Sequence, residues 1–254
     1  MYPLEVKALS KHFGGIRAIE EISFHTTDKA ILSIIGPNGA GKTTLFNCLT
    51  GFMRPSKGSI VFSGQTISGL SADRINRLGI ARTFQNIRLF KDMTVLENVM
   101  VAQHSKIRSG LFSAILHSPL FKREEKTVRE KGYEYLELLG MESHAHKISG
   151  SMPYGAQRKL EIARALATEA SLLLFDEPTA GMDPQETDSM MQTIKDLRNL
   201  DKTIVIIEHD MKFVMGISDR IIVLDHGVKI AEGTPEQIKA DPMVIEAYLG
   251  KETH

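Results

Sequence analysis

The run Gly36-Pro37-Asn38-Gly39-Ala40-Gly41-Lys42-Thr43-Thr44 puts a glycine-rich turn between a strand-like and a helix-like segment. It satisfies the pattern G-x-x-x-x-G-K-[ST] of a phosphate-binding loop, in which glycines let the backbone curl until several N–H groups point at one anion. The following helix adds its positive N-terminus at the same place. Lys42 is expected to reach the β- and γ-phosphates of a nucleoside triphosphate, and Thr43 to offer its hydroxyl to Mg²⁺. The flanks agree with this reading. Ala30-Ile31-Leu32-Ser33-Ile34-Ile35 is a short apolar, β-branched run suited to a buried parallel strand, and Thr44-Leu45-Phe46-Asn47-Cys48-Leu49-Thr50 has helical spacing that stops at Gly51.

Around that loop, a chain of 254 residues with 42% hydrophobic content can bury a large core, as one α/β domain or as a core with a subdomain. Lys plus Arg and Asp plus Glu number 31 each, so no global charge draws the chain to nucleic acid or to an anionic bilayer. Cys48 is the single cysteine and lies in the helix after the loop; no internal disulfide can form, which fits a reducing, cytoplasmic setting. Met1-Tyr2-Pro3-Leu4-Glu5-Val6-Lys7 carries charge where a signal peptide needs an apolar core, and the apolar runs 171–175 and 204–207 are far too short to span a bilayer. Work at a membrane would require docking to another protein.

Residues 4–35 read as strands broken by turns at Gly14-Gly15 and Asp28-Lys29, and Gly58-Ser59-Ile60-Val61-Phe62-Ser63-Gly64 reads as a further bounded strand, together an antiparallel flap beside the loop. Residues 86–152 change character: helical periodicity fills 95–103 and 124–139, the latter with apolar Val128, Tyr135, Leu136 and Leu139. The mixed stretch 104–121 reads as a core-packing helix pair in preference to an interaction surface. Alternation then returns, with a helix to residue 170, a strand at 172–175, a helix over 186–199 and strands at 203–207 and 220–224, which implies parallel crossovers and a sheet covered by helices. Thr234-Pro235-Glu236-Gln237 is a good helix start for a tail over 234–250.

Two carboxylates end the strand Leu172-Leu173-Leu174-Phe175-Asp176-Glu177, at the edge where open α/β sheets bind ligands. This is a Walker B pattern. Asp176 is expected to act on Mg²⁺ through water, and Glu177 to serve as general base or water-orienting group near the γ-phosphate. His209 follows the strand Thr203-Ile204-Val205-Ile206-Ile207 and emerges at the same edge if the strands are parallel, where its imidazole could sense the γ-phosphate.

With these residues assembled, the chain resembles, over essentially its whole length, the nucleotide-binding subunit of an ATP-binding cassette (ABC) transporter. That resemblance implies an α/β P-loop NTPase (RecA-like) core with an antiparallel β flap over about 1–85 and 159–233, an inserted α-helical subdomain over about 86–158, and a helical tail from 234. Ala81-Arg82-Thr83-Phe84-Gln85-Asn86 matches the family's Q-loop, in which Gln85 would contact Mg²⁺ and the attacking water. Phe13 would be the platform under adenine, His209 the switch histidine, and Ala180-Gly181-Met182-Asp183 the D-loop at a dimer interface. Met152-Pro153-Tyr154-Gly155-Ala156 corresponds to the family's L-S-G-G-Q signature, with Pro153 in place of serine and Ala156 in place of glutamine. Backbone N–H groups near Gly155 and the helix N-terminus can still hold a phosphate; Ser151 or Tyr154 could supply the missing hydroxyl.

The Pro-Tyr-Gly signature, Phe13-Gly14-Gly15, the 104–121 insertion and the ending Glu246-Ala247-Tyr248-Leu249-Gly250 resemble the branch serving branched-chain amino acid importers, in particular the longer of its two paired ATPase subunits. The resemblance implies ATP and Mg²⁺, a second ATPase subunit (identical or a paired homologue), two transmembrane permease subunits, a periplasmic solute-binding protein, and a peripheral place on the cytoplasmic face of the inner membrane, with no nucleic acid. Transporters for urea, amides, aromatic acids or lipopolysaccharide use the same kind of subunit. Non-transport relatives usually show two cassettes or a long coiled-coil insertion, and neither is visible here.

Overall fold

The computed structural model describes residues 3–103 and 119–249. Two compact units result, Met1–Gln85 with Ser171–His254, and Asn86–Ala170.

Among the described residues the first unit contains β1 (Leu4–Phe13), β2 (Ile16–His25), β3 (Ile31–Ile35), β4 (Lys57–Phe62), β5 (Gln65–Thr66), β6 (Ile80–Arg82), β7 (Leu172–Asp176), β8 (Thr203–Ile207), β9 (Arg220–Asp225) and β10 (Val228–Gly233). The sheet β2-β1-β4-β5 is antiparallel, and the second sheet has the order β10-β9-β3-β8-β7-β6. From β9 to β6 the second sheet is parallel, so β3, β8, β7 and β6 deliver the residues that follow them to one edge. β10 folds back antiparallel on β9.

Every residue of β3, β7 and β8 is buried, as expected of parallel strands covered on both faces. Alternate side chains feed two cores. On one face Leu32, Ile34, Leu174 and Val205 pack with Leu45, Phe46 and Leu49 of the helix Lys42–Leu49 and with Leu4, Leu9, Ile22 and Ile60 of the antiparallel sheet. On the other, Ile35, Ile221 and Val223 pack with Val214, Ile238, Val244 and Tyr248 of the helices Met211–Ile217, Pro235–Ala240 and Pro242–Leu249. Each such aliphatic side chain stabilises by about 1.5–3 kcal/mol when fully buried. In β1 the left-handed Ala8 (φ 44°) coincides with shifts in register against both neighbours, a bulge that bends the long strand on its way to Phe13.

In the second unit the helices Val95–Ala102, Pro119–Leu138 and Tyr154–Ala167 pack on one another. The first starts at a capping box, with Thr94 Oγ1 accepting from Glu97 N at 3.2 Å and the Glu97 carboxylate accepting from Thr94 N at 2.7 Å, a device worth about 1 kcal/mol. Asn98 is fully buried; its amide group bonds both the N–H and the carbonyl of Phe90 and donates to Ser149 Oγ at 3.2 Å. Because Tyr154–Ala167 packs with these helices, the unit runs to Ala170, whereas the sequence placed the return to the core at 159. The expected helix pair of 104–121 lies, up to residue 118, outside the described residues.

Candidate nucleotide-binding site

The loop after β3 has the backbone its glycines allow. Gly36 sits at φ 149° and Gly41 at φ 97°. A Cβ on Gly36 would collide with the Leu224 carbonyl oxygen, and one on Gly41 would lie 2.5 Å from that of Ala18. Gly41 caps the helix Lys42–Leu49 without a side-chain bond, and no acid lies in the first turn, so the positive end of the helix faces the loop uncompensated. Lys42 is 8% exposed, and its ammonium donates to the carbonyls of Gly36 at 2.6 Å and Pro37 at 3.1 Å. Pro37 is half-buried, Ala40 buried and Thr44 half-buried, while Asn38, Gly39 and Thr43 are exposed.

At the same edge β7 delivers Asp176 and Glu177. Gln85, which follows β6 by three residues, donates from Nε2 to Glu177 Oε2 at 2.7 Å, and His209 Nδ1 lies 3.9 Å from the same oxygen. The three residues read separately as Q-loop, Walker B and switch therefore meet at one carboxylate oxygen. Glu177 itself is left-handed, at φ 50°, an unusual backbone for glutamate, and its N–H bonds the Ile207 carbonyl at 2.9 Å.

Two neighbours of these residues were missed from the sequence. Glu208 is fully buried and gathers donors from two loops: Thr179 N at 3.0 Å and Thr179 Oγ1 at 2.5 Å on Oε1, and His209 N at 2.8 Å on Oε2. Arg82 is buried as well and donates to Asp176 Oδ2 at 2.7 Å. An acid directly after a wholly apolar strand was the signal that singled out Asp176, and the same signal, applied to β8, would have found Glu208. For Arg82 the signal is a charge ending a buried strand, which demands a partner.

Phe13 ends β1 with 43% exposure. The Lys11 ammonium lies 5.0 Å from its ring centroid, anchored by the Arg54 carbonyl at 3.0 Å. Asp183 caps the helix Pro184–Arg198, accepting from Glu186 N at 2.8 Å. Cys48 is buried, which pushes its thiol up to about 11 and makes it unreactive.

The signature helix Tyr154–Ala167 starts from Pro153 (φ −53°) with no side-chain cap. Both hydroxyls considered as substitutes are engaged internally. Ser151 Oγ donates to the Ile148 carbonyl at 2.7 Å, and Tyr154 OH accepts from Arg158 Nη2 at 2.9 Å. The Met152 carbonyl accepts from the Gln157 amide at 2.8 Å. Arg158 also pairs with Glu161 at 3.2 Å, both side chains buried, and Glu161 takes Arg88 N at 2.8 Å. Burial pushes the Glu161 carboxyl up, with the Arg88 and Arg158 bonds opposing. This end of the helix presents to an anion backbone N–H at Tyr154, Gly155 and Ala156 and, because the Arg158 bond uses its oxygen and not its proton, the O–H of exposed Tyr154.

The architecture recurs in solved structures. A nucleotide-free ATP-binding cassette from an ABC transporter superposes with a TM-score of 0.86 at 33% identity, covering 99% of this chain and 100% of that one. A dimeric post-hydrolysis cassette bound to ADP and Pi gives 0.76 at 26% identity, over 91% of this chain and 98% of that one. Fold and edge constellation together define an ATP-binding cassette. The chain belongs to the ABC transporter family, whose pattern matches residues 19–180, and ABC transporter ATP-binding proteins are ATPases. Residues 228–254 match a segment described as branched-chain amino acid ATP-binding cassette transporter. The chain is 48% identical over 249 residues to the high-affinity branched-chain amino acid transport ATP-binding protein LivG of Escherichia coli K12, covering 98% of each.

Proposed function

We propose that this chain is the ATP-hydrolysing subunit of an importer for branched-chain or related amino acids. The observation that carries the ATPase half is the meeting of Gln85, Glu177 and His209 at the edge where the phosphate loop also emerges. The similarity to LivG and the match over 228–254 support the substrate class.

In this reading Phe13 stacks adenine on the ring face that Lys11 leaves open, and Gly36 to Thr44 wrap the phosphates. Lys42 exchanges its two loop carbonyls for β- and γ-phosphate oxygens. Glu177 takes the proton of the attacking water as the water oxygen bonds the γ-phosphorus and the bond to the β–γ bridging oxygen breaks, releasing ADP and phosphate. Gln85 holds Glu177 through Oε2, and His209 lies beside that oxygen.

Mg²⁺ would be held by the Thr43 hydroxyl, by Asp176 through water and by Gln85. These are hard oxygens, and among the described residues no cluster of three His, Cys, Asp or Glu forms a protein cage. Such a donor set fits an ion that keeps waters and phosphate oxygens. When bound, it neutralises charge on the β- and γ-phosphates.

Two cassettes, identical or paired homologues, would close on two nucleotides, with the backbone N–H groups of Gly155 and Ala156 of each completing the other's site and Asp183 at the junction. The γ-phosphate, present in ATP and absent from ADP, biases the closed pair. Among the described residues no helix is long and apolar enough to cross a membrane. Two permease subunits would supply the path, fed by a periplasmic solute-binding protein, with the cassettes on the cytoplasmic face. Glu177→Gln in the assembled transporter is expected to leave ATP binding intact and slow hydrolysis by roughly 10²- to 10⁴-fold. Unchanged turnover overturns the assignment.

A further inference from the structure

Arg82 ends β6, three residues before Gln85, and its side chain is 5% exposed. A buried guanidinium must find acceptors. It finds three: Asp176 Oδ2 at 2.7 Å, Asn47 Oδ1 at 2.7 Å and Thr50 Oγ1 at 3.1 Å. The rings of Phe46, Phe52 and Phe84 surround it, with centroids 5.4, 5.9 and 5.1 Å from its central carbon. Asn47 and Phe46 belong to the helix that opens with Lys42, so the guanidinium is fastened to the phosphate-loop helix on one side and to Asp176 on the other. It takes one carboxylate oxygen. The other, Oδ1, accepts no hydrogen bond from any described residue.

We propose that Arg82 is a positioning residue for Mg²⁺: it fixes the Asp176 carboxylate through Oδ2 and so presents Oδ1 to the hydrated ion. The inference rests on the reading that Asp176 acts on Mg²⁺. A second cation near a divalent ion repels it, and that repulsion argues for the opposite sign, with Arg82 competing for Asp176. Geometry favours positioning, because a carboxylate has lone pairs for both partners and Arg82, held by Asn47, Thr50 and three rings, cannot follow the ion. Without Arg82 the carboxylate has no fixed orientation. Partners that orient a metal ligand from behind typically contribute 10- to 100-fold in metal affinity.

The test is equilibrium binding of a fluorescent N-methylanthraniloyl ATP to the full chain, titrated with Mg²⁺ and repeated in EDTA. Asp176→Asn sets the scale by raising the half-saturating Mg²⁺. Arg82→Met is expected to raise it by roughly 10-fold, to leave nucleotide affinity in EDTA unchanged, and to add nothing in the Asp176→Asn background. If Asp176→Asn shifts the titration while Arg82→Met leaves it unmoved, lowers it or adds fully in the double variant, the Arg82 inference falls alone. If Asp176→Asn itself shifts nothing, the Mg²⁺ role of Asp176 falls and takes the inference with it. Should Arg82→Met not fold, Arg82→Lys decides. Its single ammonium cannot span Asp176, Asn47 and Thr50, so the Mg²⁺ requirement must rise severalfold with Asp176 present and not in the Asp176→Asn background; an unshifted titration overturns the proposal.

Discussion

A Cβ on Gly36 would meet the carbonyl oxygen of Leu224, an atom of the neighbouring strand that cannot move aside cheaply. Gly36→Ala should therefore push the start of the phosphate loop away from β9 and cost about 1–3 kcal/mol in a denaturant titration, with ATP affinity falling while helix content persists. Full ATP affinity would show that the loop tolerates the shift. Single residues also mark the boundary of what sequence reveals. Glu177 and His209 were each legible from their positions after strands and Gln85 from its likeness to the family's Q-loop, and the structure joins them. Arg82 and Glu208 could be flagged as charges at strand ends but not paired, because their partners are remote: Asp176 is 94 residues from Arg82 and Thr179 is 29 from Glu208.

Among elements, β3, β7 and β8 were read almost residue for residue, since short runs dominated by Ile, Leu and Val read as buried strands. β10 escaped notice. Its sequence, Val228-Lys229-Ile230-Ala231-Glu232-Gly233, is exposed or half-buried throughout, so the sheet edge, not the pattern, makes it a strand. The helix expected after the signature loop begins earlier, at Tyr154, and ends at Ala167; Ser151 Oγ donates to the Ile148 carbonyl and Tyr154 OH accepts from Arg158. The last helix carries a pH prediction. Burial pushes the Tyr248 phenol up to about 12 from an ordinary value of 10.0, the Gly36 backbone opposing. The folded state disfavours phenolate, so this contribution is complete below pH 10 and lost as pH climbs toward 12. Melting temperatures measured across that window should fall less steeply for Tyr248→Phe than for the parent chain. An identical slope would mean that Tyr248 ionises without disturbing its contacts with the core that contains Ile35.

At the scale of the molecule, one chain carries one phosphate loop, one Walker B strand and one signature, and a similar cassette, 26% identical, is a dimer bound to ADP and Pi. The first unit gathers its chemistry on one edge because four successive parallel neighbours all end there. That edge is not a row of independent loops. One Glu208 carboxylate takes the amides of Thr179 and His209 on its two oxygens, so neither amide can meet solvent unless the same carboxylate lets go. In deuterium exchange the two should therefore share one opening event and one protection factor, and Glu208→Ala should release both together. Rates differing by more than about 10-fold would show that the loops breathe separately. Shared rates would mean that the turn after Glu177 and the arm bearing His209 keep a common clock.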